Sequence, residues 1–147
     1  MQLSQHFSLA EAIYSKTAID NKVDNMPDEK QLATMKYTAE QMELVRKLLG
    51  EHPIKVNSWF RGPKVNSLVG GVATSQHSKG EAVDFTAPWF GSALEVCKKL
   101  MEHKHEINYD QLIYEQTWIH ISFVQDKPAR KSELTFLGRG RYQKGIA

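Results

Sequence analysis

SQHSKGEAVDF, residues 75–85, passes from a polar loop into an apolar run within a few positions. His77 and Asp84 stand seven positions apart around Gly80. Two readings fit these residues. One is a polar loop entering a buried strand, with His77 and Asp84 as ordinary surface and turn residues. The other is a metal site half built here and completed elsewhere in the chain. In both, AVDF at 82–85 is a short strand.

Outward from this stretch, further strands and helices are legible. IKVNSWF, 54–60, alternates as a strand. QLIYE, 111–115, and WIHISF, 118–123, are strand-like runs joined through Gln116-Thr117. ELTFL, 133–137, and RYQKGI, 141–146, suit a last hairpin across Gly138-Arg139-Gly140. Ser8 with Glu11 reads as a capping box opening a short helix through about Ser15. Residues 17–29 read as a polar link. A long helix is expected from about Pro27 to Leu49, because Leu32, Met35, Ala39, Met42, Val45 and Leu49 recur at helical spacing. Pro27 suits its first turn and Gly50 its end. Residues 62–71 suit a short helix, and 90–105 carry Ala93, Leu94, Cys97, Leu100 and Met101 on one helical face. Helices first, then strands with one helix inserted, predict an α+β fold with a mostly antiparallel sheet.

The chain has 147 residues, which suits a single domain with a real core. Its net charge of +2 gives no case for nucleic acid. The excess is local: from Asp126 onward six Lys or Arg face two acids, a basic C-terminal extension of net +4. Cys97 is the only cysteine, so an intrachain disulfide and a four-thiolate zinc site are excluded. The first residues lack a basic start and an apolar run of signal-peptide length, and no stretch reaches the ~20 apolar residues of a membrane span. The protein is expected to be made in a cytoplasm without a visible signal peptide and to reach any target outside that membrane by other means.

Of six histidines, His103 and His105 lie in a charged stretch at a helix end, and His6 and His52 have no partner at useful spacing. His77 has Asp84. His120 lies in a strand whose Ile119 and Ile121 must point to the opposite face, leaving Trp118, His120 and Ser122 together. Two His and one Asp make the donor set of a catalytic zinc, with a fourth position open for water. A lone strand histidine is also an ordinary packed residue. A carboxylate outside the ligand set is then needed as general base. Glu115 is the candidate, although its parity is odd relative to His120, so a turn or bulge at Gln116-Thr117 would have to re-aim it.

SQHSKGEAVDF resembles the S-x-H-x-x-G-x-A-x-D signature of the zinc-dependent D-alanyl-D-alanine peptidases, a family that includes wall carboxypeptidases, phage endolysins and the vancomycin-resistance dipeptidases. Hedgehog signalling domains share its fold. Ser75, His77, Gly80, Ala82 and Asp84 all match. WIHIS resembles the downstream histidine strand, HFSLAEAIYSKTAIDN the opening of small phage-encoded members, and VNSWFRGPKVNSLVGG their S-G-Y-R-S-P…N…V-G-G segment. The resemblance spans roughly residues 4–125. It implies zinc held by His77, Asp84 and His120, with Arg61 meeting a substrate oxygen. Gly80 would swing the chain into the strand, and Ser75 and Gln76 would orient the loop or touch substrate. Two departures stand out. Trp59 replaces a glycine and is expected to reshape the cleft without removing the arginine. Thr117 occupies the position where many members carry the acid, so the base falls to Glu115. Trp118 would line the cleft.

The resemblance implies a monomeric zinc peptidase acting on peptidoglycan stem peptides, a phage or prophage endolysin or a virion-associated enzyme. It has no expected nucleic-acid partner. The rival is a zinc-containing module of the same fold that grips a wall peptide or protein without turnover, a reading that Thr117 keeps open.

Overall fold

A computed structural model describes residues 1–147. Two short helices, α1 (Leu9–Ile13) and α2 (Lys16–Asp20), precede the long helix α3 (Glu29–Leu48). Strand β1 (Lys55–Ser58), helix α4 (Pro63–Leu68) and a 3-10 turn (Gln76–Lys79) lead to β2 (Ala82–Thr86). Helix α5 (Ala93–Glu102) is followed by β3 (Gln111–Tyr114), β4 (Ile119–Ser122), β5 (Ser132–Gly138) and β6 (Arg141–Lys144). The strands form one six-stranded sheet in the order β1-β2-β4-β3-β5-β6. Every neighbouring pair is antiparallel except β3 and β5. The fold is therefore α+β with a mostly antiparallel sheet, as the element order predicts.

Strand alternation divides the sheet into a core face and a site face. Val83, Phe85, Leu112, Ile119 and Ile121 enter one core with Met35, Ala39, Met42 and Val45 of α3 and Val96, Cys97 and Leu100 of α5. Asp84 and His120 are partners in the β2–β4 ladder, and Ile113 is His120's partner in the β3–β4 ladder. These three residues lie on the other face.

The predicted stripe of α3 is buried, apart from half-buried Leu32. Its start differs from expectation. Asp28 is the N-cap, its side chain accepting from Gln31 N at 2.7 Å while Asp28 N donates to Gln31 Oε1 at 2.8 Å. Pro27 therefore precedes the cap rather than sitting in the first turn. The polar link is also not all loop. Ser15 accepts from Ala18 N at 3.1 Å and caps α2, and Ala18 is buried, which a reading of polarity alone passes over. The basic C-terminal residues build β5 and β6. Gly138, Arg139 and Gly140, all at positive φ, turn the predicted hairpin.

No helix is long and apolar enough to cross a membrane.

Candidate active site

His77, Asp84 and His120 converge where the 3-10 turn, β2 and β4 meet. One ligand atom from each lies within 4.8 Å of the others. The turn is capped by Ser75, whose hydroxyl accepts from His77 N at 3.2 Å, and it ends at Gly80 with φ +81°. A Cβ on Gly80 would stand 2.5 Å from Met35 Cγ, so glycine is required for space as well as conformation. The Gly80 carbonyl accepts from Thr38 Oγ1 of α3 at 2.8 Å and from Trp59 Nε1 at 3.3 Å. The entry into β2 is thus bolted to the core.

The tautomer of His77 follows from its partner. A carbonyl only accepts, so Nδ1–H donates to Trp59 O at 2.7 Å, and Nε2 carries the lone pair. That lone pair faces Asp84 Oδ2 at 3.3 Å. The other carboxylate oxygen, Oδ1, meets His120 Nδ1 at 2.9 Å. Burial works against charge on Asp84, yet its interactions with His77 and the hydrogen bond from His120 hold its carboxyl well below the usual range. Two facing lone pairs on buried groups call for a cation between them. Ligand atoms around a tetrahedral zinc stand roughly 3.3 Å apart, as bond lengths near 2.0 Å require. The residues present fit a divalent metal.

Glu115 lies in the same cleft of about 520 Å³. It reaches that face without any bulge. Ile113 pairs with His120, so Glu115, two residues on, shares their face by alternation alone. Glu115 N donates to Trp118 O at 3.1 Å, closing a two-residue turn with Gln116 at φ +72°. Odd parity across such a turn is what an antiparallel register produces. Burial first, then the charge of Asp84, pushes the Glu115 carboxyl up, with His120 pulling the other way. A carboxylate raised in this way is a better proton acceptor than a solvated one.

Arg61 lines the cleft, and its Nε is buried with no acceptor in the chain. Burial lowers its pKa, while Asp84 raises it. Its backbone is fixed on both sides. Arg61 N donates to His77 O at 3.1 Å. Asn25 Nδ2 donates to Phe60 O at 3.0 Å, and Asn25 Oδ1 accepts from Gly62 N at 2.8 Å. Trp59 differs from expectation. It is fully buried, packs edge-on against Phe7 at 6.0 Å, and supports the site from beneath instead of shaping the cleft.

A family model described as Peptidase M15 matches residues 5–122. The chain belongs to the Peptidase M15 family. No curated protein matches it. Within the M15 match, Ser75, Gln76 and Trp118 all border the cleft. Ser75's hydroxyl is engaged in capping the turn. Gln76 Nε2 donates to Asp110 Oδ2 at 3.1 Å and to Glu81 Oε1 at 3.2 Å, so its amide faces the scaffold. Trp118 Nε1 is buried without a partner.

Three residues that sequence reasoning missed hold this M15 site in shape. Asn25 clamps the Arg61 segment. Asp110, fully buried, accepts from Arg130 N at 2.9 Å, Nη2 at 2.7 Å and Nε at 3.1 and 3.2 Å. Arg130 lies beyond the M15 match, so Asp110 joins the C-terminal segment to the turn that carries His77. An acid and an arginine twenty residues apart carry no spacing signal. Only the β3–β5 pairing brings them together.

Proposed function

We propose that the chain is a zinc metallopeptidase that hydrolyses peptide bonds in bacterial peptidoglycan. The observation that carries this reading is the convergence of the His77–Asp84–His120 donor set, a raised carboxyl at Glu115 and an orphaned guanidinium nitrogen at Arg61 in one cleft. Zinc is the metal that the donor set and the M15 membership favour, and when bound it supplies Lewis acidity for water and the peptide carbonyl. His77, Asp84 and His120 would hold it. Glu115 takes the proton of the attacking water and passes it to the leaving amine. Arg61 Nε donates to the oxyanion as it develops, or to a substrate carboxylate. Ser75, Gln76 and Trp118 shape the rim where the peptide lies. The likeness of the first residues to small phage-encoded members supports a lysis or virion-associated enzyme.

The test is digestion of purified peptidoglycan by zinc-loaded protein, read by mass spectrometry, with a chelated control and a Glu115→Ala control. New amines or shortened stems that vanish in both controls are expected, and their masses name the bond. Intact murein with zinc still bound would overturn the enzyme reading and leave a wall-peptide binding module.

A further inference from the structure

The β5–β6 hairpin lies beyond the family-matched residues, yet it forms one wall of the cleft. Phe136 of β5 and Tyr142 of β6 are ladder partners, their ring centroids 5.4 Å apart. Tyr142 is 48% exposed on a strand whose four residues all face solvent, so its ring adds little to the core. The hairpin is nonetheless fixed against the site. Tyr114 of β3 lies opposite Thr135 of β5 in the parallel ladder. Gln116 Nε2, in the turn after Glu115, donates to Phe136 O at 2.8 Å, and the Tyr109 hydroxyl donates to Glu133.

Arg130 stands at the same wall. Its Nε and Nη2 bind Asp110, while Nη1 has no partner in the chain and the side chain is 56% exposed. Asp110 therefore pre-orients a guanidinium with one edge free for an incoming anion. Burial first, then the charges of Glu115 and Asp84, pushes the Tyr142 phenol up, so the ring stands within the field of the site. A rigid aromatic surface beside a half-free guanidinium suits an aliphatic stretch that ends in a carboxylate.

We propose that Phe136, Tyr142 and Arg130 form a specificity wall for anionic peptides, the rings carrying an aliphatic stretch and Arg130 Nη1 gripping a carboxylate. This rests on the murein peptidase reading, because stem peptides carry such carboxylates.

The test is calorimetric binding to zinc-loaded Glu115→Gln protein, in which the probe is not turned over. The probes are L-Ala-γ-D-Glu-L-Lys-D-Ala-D-Ala and the same peptide with its carboxylates amidated. Amidation is expected to weaken binding about tenfold, the scale of one charge-assisted hydrogen bond. Arg130→Gln should shrink that difference, leaving only what Arg61 holds, and a difference left undiminished overturns the wall. Tyr142→Ala, on an exposed strand, should weaken both probes about fivefold with zinc content unchanged. Equal affinity for the two probes, or unchanged binding by Tyr142→Ala, overturns the wall. If Arg130→Gln does not fold, the probe pair and Tyr142→Ala decide alone. Murein digestion by the wild type with no effect of Tyr142→Ala on binding sinks the wall and leaves the peptidase. Tyr142-dependent binding with no digestion does the reverse. Binding of neither probe removes the wall.

Discussion

Replacing Asp110 by Asn should loosen the metal site without touching a ligand. The carboxylate takes charge-assisted bonds from Arg130 and one from Gln76 while itself fully buried. Asn keeps one acceptor and turns an NH₂ toward guanidinium and amide donors. Removing one partner of a fully buried pair costs about 3–5 kcal/mol. Arg130 is more than half exposed and stays solvated when its partner is lost, so about 2–3 kcal/mol is expected here. At roughly 2–4 °C per kcal/mol for a chain of this size, Tm falls by about 4–12 °C. The loss has a pH signature. Burial raises the Asp110 pKa, but the bonds from Arg130, with Gln76, more than reverse this and hold it below the usual value. A depressed carboxyl stabilises fully above its unfolded pKa of about 3.9, and that contribution fades as pH falls through the folded value. Thermal melts of chelated wild type and Asp110→Asn should therefore differ most near pH 7 and draw together below about pH 4. Zinc titration of the same pair should show weaker binding in the variant, since Gln76 precedes His77. A Tm difference that persists undiminished at pH 3 would refute the electrostatic account.

Glu115→Gln should retain zinc and lose about 10²–10⁴ of the hydrolytic rate, as measured by stem-peptide turnover beside metal analysis. Gly80→Ala combines a left-handed backbone with a Cβ 2.5 Å from Met35 Cγ, in a core where Met35 has no room to move. It should cost about 3 kcal/mol in urea unfolding, and wild-type stability would show that the turn adapts. His77→Ala or His120→Ala should abolish the zinc-dependent rise in Tm, which for the wild type is about 4 kcal/mol of stabilisation at a thousandfold excess over Kd. A chelator should remove the same rise from the wild-type protein.

Much of the site was legible because its signals are local. Periodicity exposed the α3 stripe, alternation put His120 opposite Ile119 and Ile121, and the five matching positions from Ser75 to Asp84 marked the turn and strand that carry His77 and Asp84. What escaped depends on register and long-range pairing. Glu115's parity looked wrong because counting through a turn ignores how the strands pair; Ile113 opposite His120 resolves it. Asn25 looked like link polarity, yet it holds the backbone on both sides of Arg61. Trp59 looked like a cleft residue because it stands where the family motif has a glycine, but a break in the β1–β2 register lies between Val56 and Ser58, and Trp59 turns inward. Arg130 and Asp110 belong to segments that meet only through the parallel β3–β5 ladder, which no single strand pattern announces.

The junction at the Gly80 carbonyl, shared by Thr38 and Trp59, has a consequence for how the protein breathes. A ligand-bearing loop is ordinarily among the first parts of a protein to open locally. Here the loop's last carbonyl is tied to the middle of the longest helix and to a fully buried indole. Releasing it strands polar groups in the core, so the loop cannot open as a small independent unit. Amide hydrogens of residues 77–81 should exchange nearly as slowly as those of α3, even in metal-free protein. A metal held by His77, Asp84 and His120 would then enter a mould that already has its shape, and its binding energy would go into holding the ion rather than ordering the chain.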